Sequence, residues 1–357
     1  MLEVREKGCF TDDRRKEFAS SGTYYFSSGK LVKRIFRKAV RSGQPLNGEF
    51  YVSLAYNPMI AEGLDVRIYE IPAFLQWGTP EDLQDYLYWH KTFEMWNLRE
   101  RGAASVPKRR PRLIMPMAGK GQRFQSEGLP PKPLIPLLGM PMFRMAMDFL
   151  PCGSNHPILI TLRDLGPAAR AAAPDADIIE LPGLTEGQAM TTLAAEGRVA
   201  KGEEVLVSSC DHGLLVDGTA WDRLLSKRPD VVVVGQRGYP EARVKPKHYA
   251  YIATEEDGRI QRTSVKVPLS ETPQRDLLLV GTFYFRQAKT LFDSIRRLKE
   301  LDVRVNGELY LDSVVNLCVE AGLDVRCFES DSYLCWGTPD ALQSFRYWHR
   351  YFRGYEP

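Results

Sequence analysis

From residue 112 onward, short apolar runs alternate with amphipathic stretches. Residues 113–115 (LIM), 157–161 (PILIT), 177–181 (DIIEL), 204–208 (EVLVS) and 231–234 (VVVV) read as strands. The unbroken apolar run at 231–234 is the pattern of a strand covered on both faces. Between the strands, 141–150 and 190–199 carry helical spacing. Residues 249–253 and 259–265 flank a turn at Asp257-Gly258 and are expected to pair. Strands alternating with helices predict an α/β fold.

The pattern of the first hundred residues returns at the end of the chain. At an offset of 259 residues, 28 of the 72 positions from Gly22 to Phe93 are identical to those from Gly281 to Phe352. Asn47-Gly48-Glu49 matches Asn306-Gly307-Glu308, Trp77-Gly78-Thr79-Pro80 matches Trp336 to Pro339, and Tyr88-Trp89-His90 matches Tyr347 to His349. Each copy reads as an aromatic strand (24–26; 283–285), two helical segments, a second strand (66–71; 325–329), a W-G-T-P turn and a closing helix. Thr79 and Thr338 suit the N-cap of that helix, with Pro80 and Pro339 in its first turn. The first copy has no counterpart of residues 112–259. We therefore expect 1–98 to be the truncated C-terminal portion of a domain, repeating 260–357. A linker at 99–111 and a complete domain at 112–357 follow. The basic run Lys108-Arg109-Arg110 in the linker reads as solvated surface. The apolar faces of the truncated copy need cover, which predicts a homo-oligomer or an intramolecular pseudo-dimer through 1–98.

Composition narrows the function classes only a little. A net charge of +3 gives no footprint for nucleic acid, and 44% hydrophobic with 26% charged residues is ordinary for a globular chain. No apolar run approaches the roughly 18 residues of a membrane span, and the charged N-terminus lacks a signal core. The cytoplasm is the expected location, with no membrane partner. Cys9, Cys152, Cys210, Cys318, Cys327 and Cys335 form no C-x-x-C pair, and several lie in apolar runs. They read as reduced and mostly structural.

The candidate chemistry centres on residues 113–133, LIMPMAGKGQRFQSEGLPPKP. A strand runs into a glycine-rich loop, Gly119-Lys120-Gly121, followed by Arg123 and then Pro131-Lys132-Pro133. Glycines admit close approach of a ligand to the backbone, and successive N–H groups make a concave anion site. Lys120, Arg123 and Lys132 add positive charge, so the stretch suits a polyphosphate. Asp211 follows an apolar strand, where open α/β sheets place their ligands.

The G-x-G-x-R loop followed by P-K resembles the signature of the sugar-nucleotide pyrophosphorylase, or nucleotidyltransferase, superfamily. That resemblance covers roughly 112–355, and it implies a Rossmann-like, glycosyltransferase-A-type sheet with helices on both faces. It implies that Met117, Ala118, Gly119, Lys120 and Gly121 bind the nucleotide. Arg123 would clamp the β- and γ-phosphates and the departing pyrophosphate, and Lys132 would contact phosphate at the reacting centre. VLVSSCDHGLL resembles the strand whose terminal aspartate, here Asp211, binds Mg²⁺, a hard cation suited to carboxylate. Thr185-Glu186-Gly187-Gln188-Ala189 resembles the segment whose glutamine, here Gln188, reads the nucleobase edge. Lys266 matches the lysine on the acceptor phosphate. The implied reaction joins an NTP and a sugar 1-phosphate into an NDP-sugar and pyrophosphate. The W-G-T-P turn is similar to a variant tied to capsule and surface-polysaccharide sugars.

Two positions depart from the pattern. Family members often carry Glu-Lys where this domain has Val265-Lys266, although the truncated copy keeps Glu6-Lys7. Many carry a second metal-binding aspartate where Cys335 or Trp336 stands, and thiolates prefer softer metals than Mg²⁺. Glu308, Asp312 and Asp340 are alternative carboxylates. Two other readings stay open: a cytidylyltransferase for a small non-sugar phosphate, and a catalytically inactive nucleotide-binding regulatory module.

Overall fold

A computed structural model describes all residues except 13–15, 44, 152–155 and 355–357. Cys152 lies outside the described residues. The chain divides into two compact units, Met1–Gln76 and Trp77–Pro357.

The first unit holds helices α1 (Gly29–Arg41) and α2 (Tyr56–Ala61). Ser28 caps α1 by accepting from Leu31 N. Ile35, Ala55, Met59 and Val66 form its small core. The strands expected at 24–26 and 66–71 do not form. A strand needs neighbours for its N–H and C=O groups. In the second copy those neighbours come from residues 112–259, which the first copy does not include.

The second unit opens with helix α3 (Pro80–Glu100). Its elements continue as β1 (Arg112–Pro116), α4 (Gln122–Gln125), β2 (Pro136–Leu137), β3 (Met140–Pro141), α5 (Met142–Asp148), β4 (Ile158–Leu162), α6 (Gly166–Ala172), β5 (Asp177–Leu181) and α7 (Gln188–Leu193). Then come β6 (Val205–Ser208), β7 (His212–Leu215), α8 (Gly218–Ser226), β8 (Val231–Gln236), α9 (Glu241–Val244), β9 (Ala250–Thr254) and β10 (Ile260–Val265). The unit closes with β11 (Leu278–Phe285), α10 (Ala288–Leu301), α11 (Leu311–Glu320), β12 (Val325–Glu329), β13 (Ser332–Cys335) and α12 (Pro339–Arg353). The helix expected at 190–199 is shorter than its pattern: α7 stops at Leu193, and Gly197 lies in a separate turn.

The main sheet runs β10-β9-β11-β6-β1-β4-β5, with β8 joining β11 to β12. Strands β5, β4, β1 and β6 are mutually parallel, and β11 is antiparallel to β6. Successive side chains alternate between the faces. Leu113, Met115, Leu206, Val232 and Val234 enter one core. Ile114, Val205, Val207, Val231 and Val233 enter the other. Helices cover both faces, which accounts for the continuous apolar runs.

Helix α3 belongs to this second unit, although by sequence it ends the first copy. Thr79 and Asp82 form a capping box with Pro80 in the first turn. Its inner stripe, Trp89, Thr92, Phe93 and Trp96, recurs at helical spacing and is buried. It packs on α12 through residues equivalent in the repeat: Trp89 stacks on Trp348 at 6.3 Å and Phe93 on Phe352 at 5.4 Å. The compact units thus divide at 76/77, whereas the repeat ends near 98. The reason is that α3 finds its apolar cover on α12 and the sheet.

The basic run of the linker is solvated, with Lys108 and Arg110 exposed, and its backbone is also tied down. The Lys108 and Arg109 backbone N–H groups donate to the Asp222 carboxylate at 2.8 and 3.1 Å, and Arg109 pairs with Glu204. Among the described residues no helix is long and apolar enough to cross a membrane. Cys9, Cys210, Cys318, Cys327 and Cys335 are free thiols, with Cys210, Cys318 and Cys335 buried.

Candidate active site

Strand β1 lies between β4 and β6, so the chain's progression across the parallel strands reverses there. Ligands in open α/β sheets bind outside the carboxyl ends of the strands at such a point. Here the loops leaving β1 and β6 line one cleft of about 760 Å³. Met117, Ala118, Gly119, Lys120, Gly121, Arg123, Lys132, Gln188 and Asp211 all line it.

The glycine loop leaves β1 and turns into the short helix α4. Gly121 has φ +60°, and a Cβ there would stand 3.1 Å from the Lys132 Cβ. Glycine at this position lets the loop close onto the Pro-Lys-Pro segment. That segment is a tight 3₁₀ turn, Lys132–Leu134, with Pro133 buried beneath it. Proline on either side of Lys132 limits the backbone and holds the lysine at the cleft wall.

Lys132 Nζ meets Asp211 Oδ2 at 2.5 Å, with side chains 24% and 19% exposed. The pair is shielded, yet open on the cleft side. Burial opposes the charge on Asp211, but the Lys132 ammonium, with His212 adding to it, holds the carboxyl well below the usual range. Burial likewise works against the Lys132 charge, and the Asp211 carboxylate outweighs it and raises the lysine. Asp211 sits in the turn between β6 and β7, and its carbonyl accepts from Trp336 N at 2.8 Å. His212 is buried beside it and engaged elsewhere, with Nε2 at 2.8 Å from Thr282 Oγ1 and Nδ1 at 3.0 Å from Ser209 Oγ. It is a neighbour of the site, with Nδ1 3.7 Å from Asp211 Oδ1.

Gln188 opens α7. The preceding Gly187 has φ +127°, and a Cβ there would come within 2.6 Å of the Leu309 carbonyl oxygen. Leu309 N donates to Glu186 O at 2.8 Å, and Ala189 N donates to Leu309 O at 3.0 Å. The segment carrying Gln188 is thereby bound to the Asn306-Gly307-Glu308 turn, and Glu308 reaches the cleft. Gly337 also lines it, because a Cβ there would meet Asp211 Oδ2 at 2.7 Å. Gly187 and Gly337 were visible in the sequence as parts of motifs, but nothing local signalled the contacts that require them.

Lys266 does not line this cleft. It stands at φ +60° with its Nζ 3.4 Å from Tyr310 Oη. Burial lowers the pKa of His248, and Arg123, Lys245 and Lys266 act on it in the same direction.

The alternative carboxylates separate clearly. Glu308 is at the cleft, Asp312 is buried, and Asp340 pairs with Lys245. Of the two residues at the place of a second metal-binding aspartate, Trp336 is buried in the core. Cys335 lies near Asp211, and burial, aided by that carboxylate, pushes its thiol up to about 11. It is a neutral thiol at physiological pH. Cys335→Ser is therefore expected to change turnover less than about threefold, since the swap removes no charge. A steady-state assay checks this, and a loss of metal-dependent activity would show a ligand role. Among the described residues no group of three or more His, Cys, Asp or Glu converges on one point.

Residues 114–299 match the family described as MobA-like NTP transferase domain. No sequence among curated proteins matches the chain. Among solved structures, the nucleoside-diphosphate-sugar pyrophosphorylase from Vibrio cholerae RC9 is 22% identical, covering 66% of this chain and 99% of its own, with a TM-score of 0.51. A UDP-glucose pyrophosphorylase complexed with UDP-glucose is 16% identical, covering 69% and 99%, with a TM-score of 0.54. The inositol-1-phosphate CTP transferase from T. maritima is 16% identical, covering 70% and 98%, with a TM-score of 0.51. At these identities the likeness is one of fold. With the matched family spanning more than half of the sequence, the chain belongs to the MobA-like NTP transferase family and is a nucleotidyltransferase.

Proposed function

We propose that the protein transfers a nucleotidyl group from an NTP to a sugar 1-phosphate, forming an NDP-sugar and pyrophosphate. The observation that carries this reading is the Lys132–Asp211 pair lining the same cleft as the glycine loop and Arg123. An acceptor phosphate oxygen attacks the α-phosphorus, forming one P–O bond. The α–β bridging bond breaks, and its electrons leave with pyrophosphate. No protein nucleophile is required, so the residues act by positioning and charge. The loop from Met117 to Gly121 cradles the phosphates, Arg123 clamps the leaving pyrophosphate, and Lys132 steadies charge at the α-phosphate. Gln188 hydrogen-bonds the base edge, and Lys266 takes the acceptor phosphate.

The donor set fits Mg²⁺ held by a single carboxylate, Asp211, since this cation commonly takes one or two carboxylates with substrate phosphates and water. When bound it would neutralise triphosphate charge. The cytoplasm, where NTPs are abundant, is the proposed location. The W-G-T-P resemblance supports a place in surface-polysaccharide synthesis. Residues 1–98 are proposed to be the remnant of a second such domain. The fold shared with an inositol-1-phosphate CTP transferase keeps small phospho-alcohols in the acceptor panel.

The test is pyrophosphate release from each common NTP, with and without Mg²⁺, against sugar 1-phosphates and phospho-alcohols. Nucleotide binding without release for every pair would replace this reading with that of a regulatory module. With the active pair in hand, Arg123→Ala is expected to lower kcat/KM by about 10²-fold, the cost of one charge-stabilising donor. A wild-type rate in that variant would remove Arg123 from the mechanism.

A further inference from the structure

Strand β11 runs antiparallel to β6, with Thr282 opposite Ser208. Ser208 Oγ lies 2.9 Å from Thr282 Oγ1, and Thr282 Oγ1 lies 2.8 Å from His212 Nε2. His212 Nδ1 in turn lies 3.0 Å from Ser209 Oγ. Ser208, Thr282 and His212 are buried, and Ser209 is the half-buried member that lines the cleft. A chain of polar groups thus runs from inside the sheet to one hydroxyl at the cleft wall.

Strand β11 is shaped to admit this chain. Its register against β8 shifts between Leu279 and Phe283, and Gly281 within that stretch has φ +78°. A Cβ at 281 would stand 3.1 Å from Ser209 Oγ and 3.6 Å from His212 Cε1. Ser209 N donates to the Gly281 carbonyl at 3.2 Å, which fixes the serine's backbone. Such irregularities in a strand re-aim side chains beside functional sites.

Charge sets the direction of the hydrogen bonds. A neutral imidazole has one N–H, and the partner of one ring nitrogen decides the role of the other. Asp211 Oδ1 lies 3.7 Å from Nδ1. A carboxylate attracts an N–H and repels a lone pair, so Nδ1 carries the proton and donates to Ser209 Oγ. Nε2 then accepts from the Thr282 hydroxyl. Ser209 keeps its own proton to donate. Among the described residues, no second hydrogen bond takes up that hydroxyl. A donor two residues from Asp211 and open to the cleft suits an acceptor oxygen of a nucleotide.

We infer that Ser209 is a further nucleotide-contacting residue, donating its hydroxyl to an α-phosphate or ribose oxygen, and that His212 is the residue that positions it. This rests on the proposed nucleotide site in the cleft, but not on the acceptor.

The test measures NTP affinity of the full-length protein by calorimetry with Mg²⁺, using whichever of ATP, GTP, CTP and UTP binds most tightly. Ser209→Ala is expected to weaken binding by about tenfold, the scale of one hydrogen bond. With the 2′,3′-dideoxy form of the same NTP, a loss that persists assigns the contact to phosphate, and a loss that vanishes assigns it to ribose. His212→Gln carries its amide at the Nε2 end and should lose as much as Ser209→Ala. His212→Asn carries its amide nitrogen where Nδ1 stands and should recover binding to within about threefold of the original. Ser209→Ala combined with His212→Gln should bind no more weakly than Ser209→Ala alone, since both remove one contact. A histidine with only a structural role would not separate His212→Asn from His212→Gln. Wild-type affinity in Ser209→Ala overturns the inference, and this variant decides the contact even if a His212 variant melts. Equal affinities of the two His212 variants, or additive losses in the double variant, overturn the role of His212. Failure of every NTP to bind the wild-type chain overturns the nucleotide site and the inference together, whereas binding without pyrophosphate release overturns the proposed reaction alone.

Discussion

A chain starting at Trp77 is expected to keep the fold and turnover of the whole protein, whereas one starting at Arg112 is expected to lose its folded state. The repeat alone suggests that everything before the linker is dispensable. The packing says otherwise for α3. Trp89, Phe93 and Trp96 are 3%, 1% and 5% exposed and share a core with Trp336 and Phe345. Tyr88 Oη donates to Tyr333 O at 2.7 Å and accepts from Tyr333 N at 3.1 Å, and Thr92 hydrogen-bonds Ser332. These contacts rest on β13, which leads directly into Cys335 and Gly337 beside Asp211. Removing one large buried aromatic costs about 3–5 kcal/mol, and a whole domain is stable by about 5–15 kcal/mol. Losing three together exceeds what the domain can spare. Phe93→Ala, with one of them gone, should lower stability by about 3–5 kcal/mol while leaving the cleft residues in place. Denaturant unfolding and pyrophosphate release measure both effects. If the chain from Arg112 melts with the full protein, α3 is not part of the core. If the chain from Trp77 is folded but inactive, Met1–Gln76 takes part in the chemistry.

Lys132→Ala should lower kcat/KM by about 10²-fold or more, through loss of a charge-stabilising donor at the reacting phosphate. It should also reverse the titration of Asp211. In the intact pair the folded-state pKa of Asp211 is depressed, so the pair contributes stability above the ordinary carboxylate value of about 4. That contribution is lost as pH falls toward the folded-state value. Without Lys132, burial, the largest influence on this carboxyl, pushes its pKa up instead. Asp211 then favours the folded state only at low pH, and that favour disappears as pH rises. The variant should therefore lose more melting temperature at pH 7 than at pH 4. Asp211→Asn should abolish Mg²⁺-dependent turnover, because the carboxylate proposed to hold the cation is gone. Unchanged rates in both variants would remove the pair from the mechanism. An equal melting loss at both pH values would show that the two groups are not coupled.

The features readable in the sequence are those set by local chemistry. The strand core of the sheet follows from apolar runs that need cover on both faces. The caps at Thr79 and Thr338 follow from side chains that satisfy the first N–H groups of a helix. The glycine loop, Arg123, Lys132, Gln188 and Asp211 stood out because each lies in a short motif, and all five features meet at one cleft. The repeat, too, is a property of the letters alone.

Tertiary structure decided what depends on partners distant in sequence. Residues 24–26 and 66–71 have strand composition but no adjacent strand, so their backbone stays irregular, while the matching residues in the second copy lie in β11 and β12. Helix α3 matches the chain's last helix in sequence and packs in the second unit, because burial assigns a helix to a core. Gly187 and Gly337 are required by Leu309 and Asp211, more than a hundred residues away in each case.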